Sequence, residues 1–526
     1  AESAFKQEFA WASHLSVPAV LCPPPDTACL NYAKLLNQVL SGATYLKAWV
    51  QVPLLRAQEM HPLPSSGHEE TQAKRKAPGS EQWEKWDRLR TVCQHNPNLA
   101  VALEITADLP PEAELERWLG EPVKAMFLPT SVFLTNKKGY PTLSRRHQAF
   151  IKNLYKFKAQ IVLQGRPRHS GGYLPYLQYM DHLKSQLAQM TEHQRFEAPY
   201  LDYLQVPLQP LMDNLESQTY ETFEKDPVKY DQYEKAVAAA LGDTPEDKTS
   251  VIMVVGAGRG PLVRASLRAA TQASRAVRLF AVEKNPNAVV TLRNMVVAEQ
   301  WANVTVVSTD MRKWQAPELA DILVSELLGS FGDNELSPEC LDGAQRFLKP
   351  GGISIPYEYT SYAAPISSSK LWNEVKAYAD PKKFETAFVV KMHNFYQAAE
   401  AKPCFTFTHP NPGGPGGTID NRRYISILFD VDTSLTVHGF AGFFEAMLYK
   451  DINISIVPQT FSGEMFSWFP LYFPLDHPIF APAGSQVEVH FWRNVSPTKV
   501  WYEWCVNKPQ VSRMHNTNGH VYWIGL

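Results

Sequence analysis

A run of apolar residues that ends in a glycine-rich turn constrains the fold of this chain more than any other stretch. The sequence VIMVVGAGRGPL, residues 251–262, opens with a pattern typical of a buried parallel strand, and a helix is predicted at 265–273. Gly256 and Gly258 permit unusual φ angles and let a ligand approach the backbone closely. The glycines are spaced GxGxG before Pro261, whereas a dinucleotide fingerprint is GxGxxG. Such a turn can be purely structural, so neighbouring residues must decide whether it binds a ligand.

Acidic residues follow the next two predicted strands. The strand at 278–282 is followed by Glu283, whose carboxylate can accept hydrogen bonds from both hydroxyls of a ribose. The strand at 304–307 leads to Asp310 and Met311, which can accept from an adenine amino group and pack on the ring. Ligands of an open α/β sheet sit outside the carboxyl ends of its strands. A glycine-rich turn followed by an acid at the end of each of the next two strands predicts an adenosine ligand without a pyrophosphate. S-adenosylmethionine is the leading candidate, and NAD is the alternative.

Two further acids, Glu326 and Glu335, bracket the turn ELLGSFGDNE after a fourth predicted strand at 321–325. Surface turns collect acids readily, so this pair alone is weak evidence of function. Because Glu326 follows the strand directly, it lies at the carboxyl end of the sheet, where the ligand is expected. Gly329 and Gly332 let the loop return Glu335 to the same side. Paired carboxylates can bind a metal, share a proton or hold a cation. No histidine cluster lies nearby, so a clamp on a planar guanidinium is favoured over a metal site.

Charge and cysteine content limit the remaining functions. The net charge of −2 predicts neither general polyanion binding nor direct nucleic-acid binding. The six cysteines are scattered, and Cys22 and Cys29 lack metal-ligand spacing, so a reduced intracellular compartment and no metal are expected. Cys340 is interpreted as a buried thiol without a chemical role. No apolar run approaches the roughly 18 residues of a membrane span. The chain begins at Ala1 rather than Met, which leaves room for an upstream or removed segment.

The regions on either side of this unit differ in their patterns. Before residue 190, apolar runs alternate with helix-like stretches, which predicts parallel βα units with too few strands for a closed eight-stranded barrel. The polar stretch 61–80 is predicted to be a flexible loop. After residue 356, short β runs separated by turns such as 412–417 predict a mostly antiparallel β domain. The N-terminal strands are predicted at 17–21, 48–52, 101–105, 125–128 and 160–163, and the C-terminal ones at 424–429, 452–457, 486–492 and 500–505.

Three motifs together resemble a known family. The turn GAGRG, the sequence EKNP at 283–286 and SELLGSFGDNELSPECLDG at 325–343 are similar to the type II, symmetric-dimethylating protein arginine methyltransferase. The resemblance extends over essentially the whole chain and implies an α/β plus β protein in three parts. These are an N-terminal TIM-like (β/α) barrel that lacks its first strands (1–187), a central Rossmann-like class I methyltransferase domain (188–355), and a C-terminal antiparallel β-barrel or sandwich domain (356–526).

The resemblance also implies roles for individual residues. Glu326 and Glu335 match the double-glutamate loop that holds the substrate guanidinium, and Phe223 matches a phenylalanine tied to the symmetric product, where asymmetric relatives carry Met. Without the resemblance, Phe223 and the aromatic residues at 468 and 469 would be interpreted as core packing. The positions that line S-adenosylmethionine are Tyr220, Lys229, Tyr230, Gly256, Glu283, Asp310 and Met311. The substrate positions are Ser467, Trp468 and Phe469, which replace a Thr-His-Trp loop and line the arginine channel, together with Gln205 and Leu208.

The predicted reaction is methyl transfer from S-adenosylmethionine to arginine, giving mono- and symmetric dimethylarginine. The resemblance suggests Gly/Arg-rich tails as substrates, including histones and spliceosomal core proteins. It further implies a WD-repeat propeller partner on the N-terminal barrel, self-association into a dimer or tetramer, and a cytoplasmic and nuclear location. Two alternatives remain, a small-molecule methyltransferase and a non-catalytic scaffold that binds the cofactor. The paired acids disfavour the first, and the intact glycines and glutamates disfavour the second.

Overall fold

The computed structural model describes residues 2–43, 45–56, 59, 77–413 and 419–526. Residues 61–76 of the predicted loop and 414–417 of the predicted turn therefore lie outside the described residues. No helix in the described ranges is long and apolar enough to cross a membrane.

The N-terminal region contains an open parallel sheet. In spatial order its strands are β1 (Ala19–Cys22), β2 (Lys47–Pro53), β3 (Leu99–Glu104), β4 (Val123–Pro129) and β7 (Gln160–Gln164). Each overlaps a predicted strand, and the open sheet is the incomplete TIM-like barrel that the sequence predicts. The connections are α1 (Glu2–His14), α2 (Leu30–Ser41), α3 (Ser80–Val92), α4 (Glu112–Glu116), α5 (Arg145–Lys156), α6 (Leu174–Ser185) and the hairpin β5 (Leu134–Thr135) and β6 (Pro141–Thr142).

The central region is a second parallel sheet with helices between its strands. In spatial order the strands are β10 (Val304–Ser308), β9 (Val277–Glu283), β8 (Ser250–Val255), β11 (Ala320–Val324) and β12 (Leu348–Ile355). The chain leaves β8 on one side and returns to its other side at β11, which creates a crevice at the carboxyl ends of these strands. The helices are α7 (Glu192–Glu197), α8 (Ser217–Glu224), α9 (Pro227–Gly242), α10 (Pro261–Gln272), α11 (Pro286–Ala298) and α12 (Ser337–Ala344).

Helix α10 begins earlier than the sequence analysis predicted. The prediction placed its start at residue 265, but the helix begins at Pro261, directly after Gly260 at a φ of 104°. Proline is favourable at the first helical position, because its missing N–H has no intrahelical partner there. The glycine turn therefore runs straight into a helix N-terminus.

The C-terminal region is built from two antiparallel sheets. One contains β14 (Phe388–Val389), β20 (Leu471–Ala481), β18 (Leu435–Tyr449), β13 (Glu358–Ser367) and β15 (Tyr396–Gln397), with β16 (Lys402–Thr408) paired to β13 and β19 (Ile452–Ser455) to β18. The other contains β17 (Arg423–Val431), β21 (Ser485–Val495), β22 (Lys499–Lys508) and β23 (Ile524–Gly525). Helix α13 (Ser369–Ala377) follows β13. Short 3-10 helices lie at Arg117–Gly120, Thr130–Val132, Ala198–Tyr200, Gln345–Phe347, Pro381–Glu385 and Thr517–Gly519.

Buried guanidinium groups join the N-terminal region to the C-terminal β region. Arg90 donates from Nη1 to the Ser369 hydroxyl at 2.6 Å, and Arg117 donates from Nη1 to the Ser434 carbonyl at 2.6 Å. Both arginine side chains are almost completely buried. Breaking such contacts would leave buried N–H donors without acceptors, so the two regions are held in a fixed arrangement.

Candidate active site

A cavity of about 510 Å³ lies at the carboxyl ends of the central sheet and extends to the C-terminal β region. Every residue that the sequence analysis assigned to a cofactor or substrate role lines this cavity. The structure therefore brings together residues that lie up to 264 positions apart in the chain (469 − 205). These residues are Gln205, Leu208, Tyr220, Phe223, Lys229, Tyr230, Gly256, Gly258, Glu283, Asp310, Met311, Glu326, Glu335, Ser467, Trp468 and Phe469.

The glycine turn needs its glycines for two reasons. Gly256 has a φ of +76° and Gly258 a φ of +53°, which place both in the left-handed region. A Cβ on Gly256 would lie 2.7 Å from Cδ2 of Leu327, and one on Gly258 would lie 3.1 Å from Cε1 of Tyr220. The turn therefore brings bare backbone to the cavity wall, beside side chains that also line the cavity.

Glu283 is held in place by backbone donors. Its Oε2 accepts from Gly258 N at 2.7 Å, and its Oε1 accepts from Asn285 N at 2.6 Å. Burial raises the pKa of Glu283, although these two hydrogen bonds act in the opposite direction. Each carboxylate oxygen keeps a lone pair for another donor. The site therefore presents a fixed pair of acceptors, as the interpretation of Glu283 as the ribose acid requires.

Asp310 has an intramolecular partner that the sequence analysis did not identify. Arg312 donates from Nη2 to Oδ2 at 2.8 Å, and its backbone N donates to Oδ1 at 2.8 Å. Burial opposes ionisation, but the bonds from Arg312 outweigh it, so the pKa of Asp310 lies below its usual value. Asp310 is therefore fixed as a carboxylate, and only its remaining lone pairs are open to a ligand. Met311 beside it is buried.

The two glutamates of the double-glutamate loop (residues 326–335) have different surroundings. Glu326 accepts from Lys229 Nζ at 3.1 Å through Oε2 and from Leu328 N at 3.1 Å through Oε1. Within the described part of the chain, the Glu335 carboxylate receives no hydrogen bond. Burial and the nearby Glu326 raise the pKa of Glu335 well above its usual value, and Lys229 partly offsets them. One acid is therefore engaged, and the other is open to the cavity.

Lys229 shows that a cation is stabilised beside these acids. Its ammonium group lies 4.9 Å from the ring centroids of Tyr230 and Trp468 and 5.4 Å from that of Phe223. Burial lowers the pKa of Lys229, but Glu326 and the neighbouring groups outweigh that effect and raise it, so the side chain is charged. Aromatic faces attract cations, so the cavity combines carboxylate and π stabilisation of positive charge.

The double-glutamate loop is closed on itself. Gly329 N donates to Gly332 O at 3.2 Å, and Gly332 N donates to Gly329 O at 2.8 Å. Phe331 N donates to Asn334 Oδ1 at 2.6 Å, and a Cβ on Gly329 would overlap the Asn334 side chain. Gly329 and Gly332 could also have made this loop mobile. In the structure they allow a tight, internally bonded turn.

A buried ion-pair network anchors this loop to the C-terminal β region. Asp333 accepts at Oδ2 from Arg493 Nε at 2.5 Å and from the Tyr502 hydroxyl at 2.5 Å. Its Oδ1 accepts from the Ser361 hydroxyl at 3.0 Å. Arg493 also donates to both carboxylate oxygens of Glu339, at 2.8 and 2.9 Å. Arg493 could not be identified from the sequence, because nothing in the local pattern of strand β21 distinguishes it from other sheet residues.

The proposed channel wall lies against the double-glutamate loop. Trp468 Nε1 donates to Leu328 O at 2.7 Å, and the Phe469 ring lies 5.9 Å from that of Tyr200. Gln205 forms a two-way backbone pair with Val389 at 2.8 and 2.9 Å. Leu208 is exposed at the cavity edge. The predicted substrate positions therefore all line the cavity, some beside the double-glutamate loop and some near its exposed edge.

Family models match three adjoining parts of the chain. Residues 1–186 match the PRMT5 TIM barrel domain, 191–355 match PRMT5 arginine-N-methyltransferase, and 358–524 match the PRMT5 oligomerisation domain. Over 555 residues the chain is 49% identical to Protein arginine N-methyltransferase 5 of Oryza sativa subsp. indica, and the match covers 100% of this chain and 85% of that protein. The chain belongs to the protein arginine N-methyltransferase 5 family.

Another member of the protein arginine N-methyltransferase 5 family, from Xenopus laevis, is 50% identical over 538 residues, which is 100% of this chain and 84% of that protein. A solved structure of the Trypanosoma brucei PRMT1 enzyme-prozyme complex with AdoHcy has a TM-score of 0.47 and 15% identity, covering 58% of this chain and 97% of that chain. Family membership confirms the resemblance, the fold class and the type II arginine methyltransferase activity. The roles of individual site residues stay predictions.

The thiols of this arginine methyltransferase are unpaired in the structure. All six cysteines are free, and Cys340 is buried at the cavity wall. Burial raises the pKa of the Cys340 thiol to about 12, which keeps it protonated and unreactive as a nucleophile. No group of His, Cys, Asp and Glu within the described residues is arranged to hold a metal ion.

Proposed function

We propose that the cavity binds S-adenosylmethionine between the glycine turn and the two strand-end acids. The bare backbone at Gly256 and Gly258, where a Cβ would meet the cavity wall, gives room for a close ligand. The fixed acceptors of Glu283 suit ribose hydroxyls, and Asp310 with Met311 suits an adenine ring. When bound, this cofactor supplies an electrophilic methyl group and leaves as S-adenosylhomocysteine.

The acid pair carries the proposal that the same cavity takes an arginine side chain. Glu326 and Glu335 lie on the wall that also holds Glu283, and Lys229 already places a cation beside Glu326. A guanidinium offers a planar set of N–H donors that carboxylates can bind at two edges. The two acids concentrate its positive charge away from the attacking nitrogen and align that nitrogen for in-line transfer. The proton leaves to a carboxylate or to water.

Substrates and partners are proposed on the family resemblance. The enzyme acts on arginines in Gly/Arg-rich tails, including histones and spliceosomal core proteins, in the cytoplasm and nucleus. Phe223, which lies on the cavity wall against Lys229, limits the space so that the second methyl goes to the other terminal nitrogen. The N-terminal barrel docks a WD-repeat propeller protein. The chain self-associates into a dimer or tetramer, and the match to an oligomerisation domain supports this.

Product analysis with a short synthetic peptide tests this function. The protein is incubated with a Gly-Arg peptide and isotopically labelled S-adenosylmethionine, and mass spectrometry separates symmetric from asymmetric dimethylarginine. A Gly-Lys peptide of the same length is the control. Label in mono- and symmetric dimethylarginine, with none in lysine, is expected. An asymmetric product would contradict the role of Phe223, and labelled lysine would contradict the guanidinium clamp.

A further inference from the structure

One buried carboxylate joins a cavity helix to the proposed channel wall. Asp226 is fully buried at the N-terminus of α9, where its Oδ1 accepts from Lys229 N at 3.4 Å. Its Oδ2 accepts three further hydrogen bonds, from Phe466 N at 2.9 Å, Ser467 N at 2.9 Å and the Ser467 hydroxyl at 2.7 Å. The two segments that it joins lie 241 residues apart in sequence.

Backbone dipoles and the nearby Lys229 ammonium stabilise the charge of Asp226. In the described ranges no Lys, Arg or His side chain forms an ion pair with this carboxylate. The helix N-terminus carries a partial positive charge, and charge-assisted hydrogen bonds from backbone N–H groups are roughly twice as strong as neutral ones. Such an arrangement fixes geometry tightly, because moving the loop would leave a buried carboxylate and several donors unsatisfied.

The contacts of Asp226 extend to the double-glutamate loop. Trp468 follows Ser467 directly, and its Nε1 donates to Leu328 O at 2.7 Å. Leu328 N in turn donates to Glu326 Oε1 at 3.1 Å. The Trp468 ring also packs against Phe444 with 5.1 Å between centroids. Each link is a single hydrogen bond or a covalent neighbour, so a shift at Ser467 is passed on to Trp468 and the loop.

We propose that Asp226 is a positioning residue for arginine methylation, which holds the Ser467–Phe469 wall at the distance from Glu326 that the guanidinium requires. The inference rests on the proposed guanidinium site. The guanidinium of arginine has five N–H donors, whereas that of monomethylarginine has four. Monomethylarginine therefore depends more on the wall for its orientation, and a loosened wall impairs the second transfer more than the first.

Replacement of Asp226 by Asn separates the role of this carboxylate as the N-cap of α9 from its role as the acceptor for residues 466 and 467. Asn is as good a helix N-cap as Asp, so α9 keeps its start. The amide has one acceptor atom and one donor atom, so it cannot accept at both ends. We expect Asp226→Asn to lower kcat on the Gly-Arg peptide by roughly 10-fold or more. The ratio of mono- to dimethylarginine should rise, and the Kd for S-adenosylmethionine should stay within about 3-fold.

Two further variants keep this test decisive. Asp231→Asn makes the same chemical change at an exposed position of α9 and should leave kcat and the product ratio unchanged. Ser467→Ala removes one of the three donors to Oδ2 of Asp226 and should give a smaller rise in the ratio of mono- to dimethylarginine. This variant decides the question if Asp226→Asn does not fold. If Asp226→Asn keeps the wild-type kcat and product ratio, the inference is overturned. If Asp226→Asn does not fold, the same result in Ser467→Ala overturns it. Absence of arginine methylation by the wild-type protein would instead overturn the proposed function.

Discussion

Arg493 on strand β21 donates from Nε to Oδ2 of Asp333 in the double-glutamate loop at 2.5 Å, and both side chains are fully buried. The guanidinium is thereby held between two carboxylates, those of Asp333 and Glu339. The β region thus fixes the loop that carries the acid pair. Since these charges are shielded from water, removal of one partner leaves the others without compensation.

Replacement of Arg493 by Met should destabilise the protein strongly. The change leaves the fully buried Asp333 and the partly buried Glu339 without their cation, and we expect the free energy of unfolding to fall by about 3–5 kcal/mol. Urea denaturation measures this. Arg422→Met is the matched control, because Arg422 pairs with Asp420 on the surface and should cost less than about 1 kcal/mol. Equal losses in the two variants would show that the network does not anchor the loop.

Peptide binding should release a proton from Glu335. The pKa of Glu335 is raised in the free enzyme by burial and by Glu326, so this carboxyl holds a proton above the pH at which glutamate usually ionises. A bound guanidinium favours the ionised form, and the proton leaves. Calorimetry in two buffers with different ionisation heats should show release of up to about one proton per peptide. Release that is unchanged in Glu335→Gln would assign the proton to another group.

The same raised pKa predicts a stability cost in the substrate-free enzyme. Glu335 ionises more easily in the unfolded chain than in the folded protein. The stability contributed by its neutral form is therefore fully present at pH values below its pKa in the unfolded chain. That stability is lost as pH rises through the folded pKa. Glu335→Gln cannot ionise, so its Tm should exceed that of the wild type at pH 8 and match it near pH 4. A lower Tm of the variant at pH 8 would contradict the proposed burial of this charge.

A methyl group at the glycine turn should weaken cofactor binding. Gly256→Ala places a Cβ 2.7 Å from Cδ2 of Leu327, so that this side chain, which lines the cavity, must move. We expect the Kd for S-adenosylmethionine to rise by roughly 10-fold or more, measured by calorimetry. Gly351→Ala is the control, because Gly351 has a φ of +75° and a Cβ added there would meet no atom within 4 Å. Equal Kd values for the two variants would exclude a role of this turn in binding.

Local patterns predicted the central sheet and its acids well. The strand before Gly256 is a continuous apolar run, and parallel strands place the residues after them at one edge of the sheet. That rule brought Glu283, Asp310 and Glu326 to one cavity without any knowledge of side-chain contacts. Tyr220 and the channel wall came from the family resemblance, since their own sequence patterns are typical of ordinary packing.

Strands β13, β18 and β20 of the β region and the anchoring contacts were not predicted from local patterns. Strand β18 is buried on both faces, so it lacks the period-two alternation that identifies a strand. Arg493 lies 160 residues from Asp333, and Asp226 lies 241 from Ser467, so each pair is defined by tertiary packing alone. Arg312 is the exception, because an arginine two residues after Asp310 could have been recognised as its partner.

Methyl transfer by Glu335→Gln tests the central claim most directly. The variant keeps the size of the side chain and removes the charge that the proposed guanidinium site requires. Transfer of labelled methyl to the Gly-Arg peptide should be abolished, while the Kd for S-adenosylmethionine stays close to the wild-type value. Glu221→Gln, an exposed glutamate on α8, should retain full transfer. Wild-type transfer by Glu335→Gln would contradict the proposal that the paired glutamates hold the substrate arginine.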